Sequence, residues 1–131
     1  MNRLSRIVVA LFVLASADAW PLPAMGQNQA GSISGDEIVA LNAKRAEAGA
    51  AGSAARKKLA IRRVIREADS LIKTHPSAPN RYEVLSILFR SQQVLVSLDN
   101  STTNRKAFLA TCGNLAAAPN EYAALRLDAD L

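Results

Sequence analysis

The stretch "IRRVIREADSLIKTHPSAPN", Ile61 to Asn80, decides how the chain is read. Ile61, Val64, Ile65, Ala68, Leu71 and Ile72 recur at steps of three and four, which places them on one stripe of an α-helix. Arg62, Arg63, Arg66, Asp69 and Lys73 fall off that stripe. Pro76 cannot continue a helix, because it lacks an N–H and biases the preceding residue away from helical geometry. "HPSAPN" is therefore a turn. Asn80 is expected to cap the next helix, with Glu83 placed to complete a capping box.

Downstream of that turn, Val84, Leu85, Ile87, Leu88, Phe89, Val94, Leu95, Val96 and Leu98 cover far more than one helical stripe. A helix of this pattern is expected to be buried on two sides, between neighbours. "DNST" (Asp99 to Thr102) is the next turn, and its residues cap well. Phe108, Cys112 and Leu115 share a face of a fourth helix that Pro119 ends. Asn120 then opens a fifth, "EYAALRLDADL". Upstream, Ser34 and Glu37 form a capping box for a first helix reaching about Ala48. "GAAG" (Gly49 to Gly52) ends that helix, and Ser53 can cap the one that follows. No segment of this region alternates with the two-residue period of a strand. The expected fold is all-α: about five helices in antiparallel hairpins, as a tetratricopeptide/HEAT-like short array or a small irregular bundle.

"APNRY" (Ala78 to Tyr82) returns as "APNEY" (Ala118 to Tyr122). In both, proline closes one helix and asparagine opens the next, so Tyr82 matches Tyr122 and Leu85 matches Leu125. The spacing falls between the periods of two common helical-hairpin repeats. Two readings stand, a repeated hairpin unit or good punctuation used twice, and both make the motif architecture. Leu127 and Leu131 are followed by no glycine or basic last turn. The end therefore reads as a frayed helix or as a point inside a longer protein.

The sequence has 131 residues with a net charge of +5, which bounds it to one small domain. "MNRLSR" followed by "IVVALFVLASA" (Ile7 to Ala17) has the layout of an export leader and is too short to span a bilayer as an anchor. Residues 1–26 are expected to be a signal peptide cleaved after Ala24-Met25-Gly26, with Ala17-Asp18-Ala19 as the alternative. Residues 27–34 read as a flexible lead, and 35–131 as the helical domain. The expected location is periplasmic or extracellular.

One cysteine, Cys112, and one histidine, His75, rule out an internal disulfide and a His/Cys zinc site within one chain. Cys112 lies on an apolar stripe, away from the cations or helix N-terminus that activate a thiol. His75 sits where a helix ends, which suits a cap. Asn100-Ser101-Thr102 matches a glycosylation sequon, yet the same residues cap helices. Asp128 and Asp130 lack the partner a two-carboxylate site needs. No catalytic residue, cofactor or metal is expected.

The run "RKKLAIRRVIRE" holds Arg56, Lys57, Lys58, Arg62, Arg63 and Arg66, with Lys58, Arg62 and Arg66 in one i, i+4 row. These are the candidate contacts to an anionic partner. Export, the absence of interleaved aromatics and the lack of a glycine-rich phosphate loop argue against nucleic acid. A membrane surface is the less favoured partner; a solvated helix face is the simpler reading.

"HPSAPNRYEVLSILFR" (75–90) and "FLATCGNLAAAPNEYAALRLDADL" (108–131) make the stretch from about Lys58 to Leu131 resemble a helical region of exported bacterial proteins that carry a thioredoxin-like domain downstream. The resemblance implies a tetratricopeptide-like segment followed by a thiol-disulfide reductase domain. This chain has neither a Cys-x-x-Cys nor a β-α-β pattern, so no functional residue carries over. The reading that follows is an exported, non-catalytic helical scaffold or protein-interaction module, whose partner is another protein or a downstream domain of the same protein. The alternatives are the N-terminal part of an envelope thiol-disulfide reductase and a binder of anionic surfaces through 56–66.

Overall fold

Hydroxyl caps and prolines set the helix boundaries in the computed structural model, which describes residues 31–129. The helices are α1 (Gly35–Gly49), α2 (Ala54–Thr74), α3 (Arg81–Leu98), α4 (Thr102–Ala116) and α5 (Ala123–Ala129), with a 3-10 turn, Asn120–Tyr122, before α5. Among the described residues the fold is all-α, as its periodicity requires. The expected leader, the start of the lead, Asp130 and Leu131 lie outside the described residues.

Glu37 Oε2 accepts from Ser34 N–H at 3.3 Å, the return half of the capping box on α1. Ser53 Oγ accepts from Arg56 N–H at the start of α2, and Ser101 Oγ from Asn104 N–H at the start of α4. Asn104 also reaches back to donate to the Asp99 carbonyl at 2.8 Å, which tightens the "DNST" turn. His75 occupies the C-cap of α2, where its own N–H donates to Leu71 O at 3.0 Å.

Asn80 corrects the sequence expectation. Its side chain makes no cap bond to α3. Instead Oδ1 accepts from Ile33 N–H at 3.0 Å, and Nδ2 donates to Ile33 O at 2.8 Å. A carboxamide carries a donor and an acceptor side by side, so it can saturate both main-chain groups of one residue. Ile33, assigned to the flexible lead for want of periodicity, is instead 2% exposed and belongs to the core. Asn120 differs as well. It begins the 3-10 turn with no capping bond and accepts from Arg126.

Consecutive helices pack on one another through short turns, and α1 also packs on α3, which places α3 at the centre. On α3, Val84, Leu88, Ser91 and Leu95 form one buried stripe, and Tyr82, Leu85, Phe89 and Gln92 form a second. The second carries the rings: Phe89 stacks on Phe108 of α4 at 5.2 Å, and Tyr82 meets Tyr122 at the same distance. Two-sided burial, expected from the density of apolar residues on α3, follows from that central place. Ser91 is tolerated in the core because its hydroxyl donates to Ile87 O at 2.7 Å. Ile61, Val64 and Ala68 are the buried stripe of α2. Truncating Ile61 to Ala would cost about 2–5 kcal/mol, since a fully buried aliphatic leaves a cavity behind.

Candidate functional site

Three surfaces have the form of a site. The first is the basic run on α2. Lys58 Nζ lies 2.6 Å from Asp99 Oδ2, and Arg62 Nη2 lies 3.3 Å from the same oxygen. The Lys58 hydrogen bond, with Arg62 nearby, holds the Asp99 carboxyl below the usual carboxylate range against a smaller opposing effect of burial. Two cations of the expected i, i+4 row are thus already answered within the chain. Lys57 is half-buried on the flank, while Arg56, Arg63 and Arg66 are exposed. The structure therefore divides the six predicted contacts into these three settings.

The second surface is a groove of about 440 Å³ between α1, α3 and α5. Ile38, Val39 and Leu125 supply its apolar lining, and Arg45, Glu83 and Arg90 its charge. Val39 is 70% exposed, and it adjoins Ile38 and Leu125 in one apolar lining instead of standing alone on the surface. Arg45 Nε donates to Asn42 Oδ1 at 3.0 Å, which orients the guanidinium along α1. Sequence reasoning missed this groove because its walls come from three separate helices. The exposed Val39 on an otherwise polar helix face was the available signal.

The third is a cleft of about 590 Å³ between α3, α4 and α5, lined by Phe89, Val96, Phe108, Leu109 and Cys112. Arg90 and Asp128, 3.7 Å apart, stand at its edge. Leu109 is 67% exposed. Burial pushes the Cys112 thiol up from its ordinary value, so it is protonated at neutral pH and poorly nucleophilic. His75 and Cys112 lie on different elements, at the end of α2 and within α4. Among the described residues no three His, Cys, Asp or Glu side chains converge as metal ligands, and no helix is long and apolar enough to cross a membrane.

The two "APN" turns share their geometry at alanine. Ala78 N–H donates to His75 O and Ala118 N–H to Leu115 O, and both alanines are buried. The second copy then docks on the first. Tyr122 O–H donates to Pro79 O at 3.4 Å, and its ring lies on Tyr82. Burial, reinforced by Glu83, Glu121 and Tyr82, raises the Tyr122 phenol above its ordinary value, so it keeps the proton it donates. No protein-family model matches the chain, and no match was found among the curated proteins or the solved structures.

Proposed function

We propose that this chain is an exported, non-catalytic helical module that holds a segment of another protein in the groove between α1, α3 and α5. The observation that carries the reading is Val39, left 70% exposed beside Ile38 and Leu125 on a face that also presents Arg45, Glu83 and Arg90. An apolar floor with charges of both signs at its edges suits a short peptide segment, whose side chains supply anchors and whose ends or charges set its direction. The leader-like residues 1–26 support export, and the hairpin order of the helices supports a tetratricopeptide-like scaffold.

The test is a photo-cross-linking side chain placed at Val39 in cells, with a second placed at Leu109 on the opposite cleft. A defined adduct from position 39, absent from position 109 and abolished by Leu125→Glu, is the expected result. Equal labelling from both positions, or none from 39, removes the groove as the binding face. The intact mass of the native protein tests export, since cleavage after Gly26 leaves Gln27 as the first residue.

A second reading makes these helices the N-terminal part of an envelope thiol-disulfide reductase. It rests on the resemblance, together with the apolar cleft at Phe108 and Leu109, where a further helix would find a seat. A downstream Cys-x-x-Cys in the same reading frame would support it, and an in-frame stop after Leu131 would sink it.

A further inference from the structure

Helix α2 contains seven basic and two acidic side chains, whereas the rest of residues 31–129 carry seven of each sign. The charge excess of the described chain therefore belongs to one helix. Four of its seven cations share one exposed side. Arg56, Leu59, Arg63, Arg66, Ser70 and Lys73 follow steps of three and four, and all six are exposed. The stripe contains no carboxylate. Lys58 and Arg62 lie one row over and are held by Asp99, and Glu67, on the other flank, is held by Lys44 at 2.6 Å. Asp69 borders the stripe beside Lys73, and its half-buried carboxyl is shifted upward by burial against the pull of Lys73.

We propose that this stripe seats the protein on an anionic lipid surface, with Arg56, Arg63, Arg66 and Lys73 against the headgroups and Leu59, 59% exposed, entering the interface. The four cations span about 26 Å of a straight helix, at 1.5 Å per residue. A partner must therefore offer negative charge over a long, flat field. The hollows along the row are open and shallow: one lies between Arg66 and Lys73, and another lies beside Arg63 against α1. A bilayer of acidic lipids presents such a field, and several separated cations add their attraction to it. A second copy does not fit, because a two-fold pairing of the stripe would set cation on cation. Asp99 is the brake in this arrangement: it withholds two cations that would otherwise widen the row. This surface lies on α2, outside the α1–α3–α5 groove, and stands or falls apart from it.

The test is sedimentation of the full chain with vesicles of phosphatidylcholine, with and without phosphatidylglycerol, at rising salt. Any binding by the leader is common to every variant, so the differences between variants report on α2. Binding is expected only with phosphatidylglycerol, and it should weaken steeply with salt. Arg63→Gln, Arg66→Gln and Lys73→Gln together should weaken it on the order of 100-fold, at about fivefold for each cation lost. Asp99→Asn, which leaves the Asn104 bond to the Asp99 carbonyl in place, should strengthen it severalfold. Equal binding by the triple variant and the parent, both shown helical by circular dichroism, overturns the proposal. Capture by polyglutamate with none by vesicles also overturns it, in favour of an acidic protein partner. An Asp99→Asn variant that binds no better removes the brake.

Discussion

Tyr82 and Tyr122 occupy matching places in two copies of one motif, and their rings meet with centroids 5.2 Å apart at 41°. The aromatic near the start of α3 is the floor for the aromatic that precedes α5. Arg81 also lies over the Tyr82 ring at 4.6 Å and donates to its hydroxyl at 2.8 Å, so the ring has a cation as well as an aromatic neighbour. Tilted aromatic pairs contribute about 0.5–1.5 kcal/mol beyond the area they bury. A double-mutant cycle of Tyr82→Leu and Tyr122→Leu in urea should return a coupling energy in that range. Strict additivity would show that the two copies are neighbours without being partners.

The two asparagines of the motif are expected to differ sharply in effect. Asn80→Ala strands the N–H and C=O of buried Ile33 and should cost about 1–3 kcal/mol. Asn120→Ala removes one exposed bond to Arg126 and should stay within about 0.5 kcal/mol of the parent. Limited proteolysis offers a second readout: the Asn80 variant should be cut faster before Gly35, and the Asn120 variant should not.

Gln92 is 6% exposed, and its Oε1 has no hydrogen-bond partner among the described residues. A buried amide oxygen left unpaired costs on the order of 1–3 kcal/mol. Gln92→Met has nearly the same volume and no such oxygen. It is expected to raise the unfolding midpoint, by several degrees if about 1 kcal/mol is recovered in a domain of this size. A lower midpoint would mean that Gln92 is satisfied in solution.

Asp69 of α2 and Asp99, the C-cap of α3, should respond to acid in opposite directions. Asp99 is shifted down in the folded state, so its contribution is present above the unfolded carboxylate value of about 3.9 and is lost as pH falls below that. Asp69 is shifted up by burial, so its charged form opposes folding above its folded value, and protonation relieves this as pH falls toward 3.9 from above. Asp69→Asn should therefore stabilise the protein at neutral pH and lose that advantage near pH 4. Asp99→Asn should remove part of the acid sensitivity below it. Urea midpoints measured across this range check both. The Asp99 effect should be small, because exposed ion pairs contribute little.

The helices were legible because an apolar stripe with a 3.6-residue period has few other homes, and because serine and proline mark boundaries through local chemistry. The capping box at Ser34 and the caps at Ser53 and Ser101 depend only on residues three positions away. Asn80 was misread for a related reason. The same amide serves a local cap and a distant main chain equally well, and only the packing of Ile33 decides between them. The basic row on α2 was visible, but its neutralisation was not, since Asp99 reaches Arg62 from 37 residues away. The recurrence of the tyrosines was readable; their contact was not, because a recurring motif does not say how its two occurrences pack. The groove was hidden for the same reason, with no single helix containing it.

The clasp between Ile33 and Asn80 also settles how the molecule would bear a load. A pull on the N-terminal side would not act on α1 alone. It would be passed through Ile33 directly to the start of the central helix, where two hydrogen bonds in parallel must rupture together. At the other end the seven-residue α5 packs mainly on α4, with Leu125 and Ala129 against the core, Asp128 3.7 Å from Arg90, and the preceding Tyr122 on Tyr82 and Pro79. Under tension α1 would thus act as a tether anchored at two points of the fold, its own packing and the start of α3.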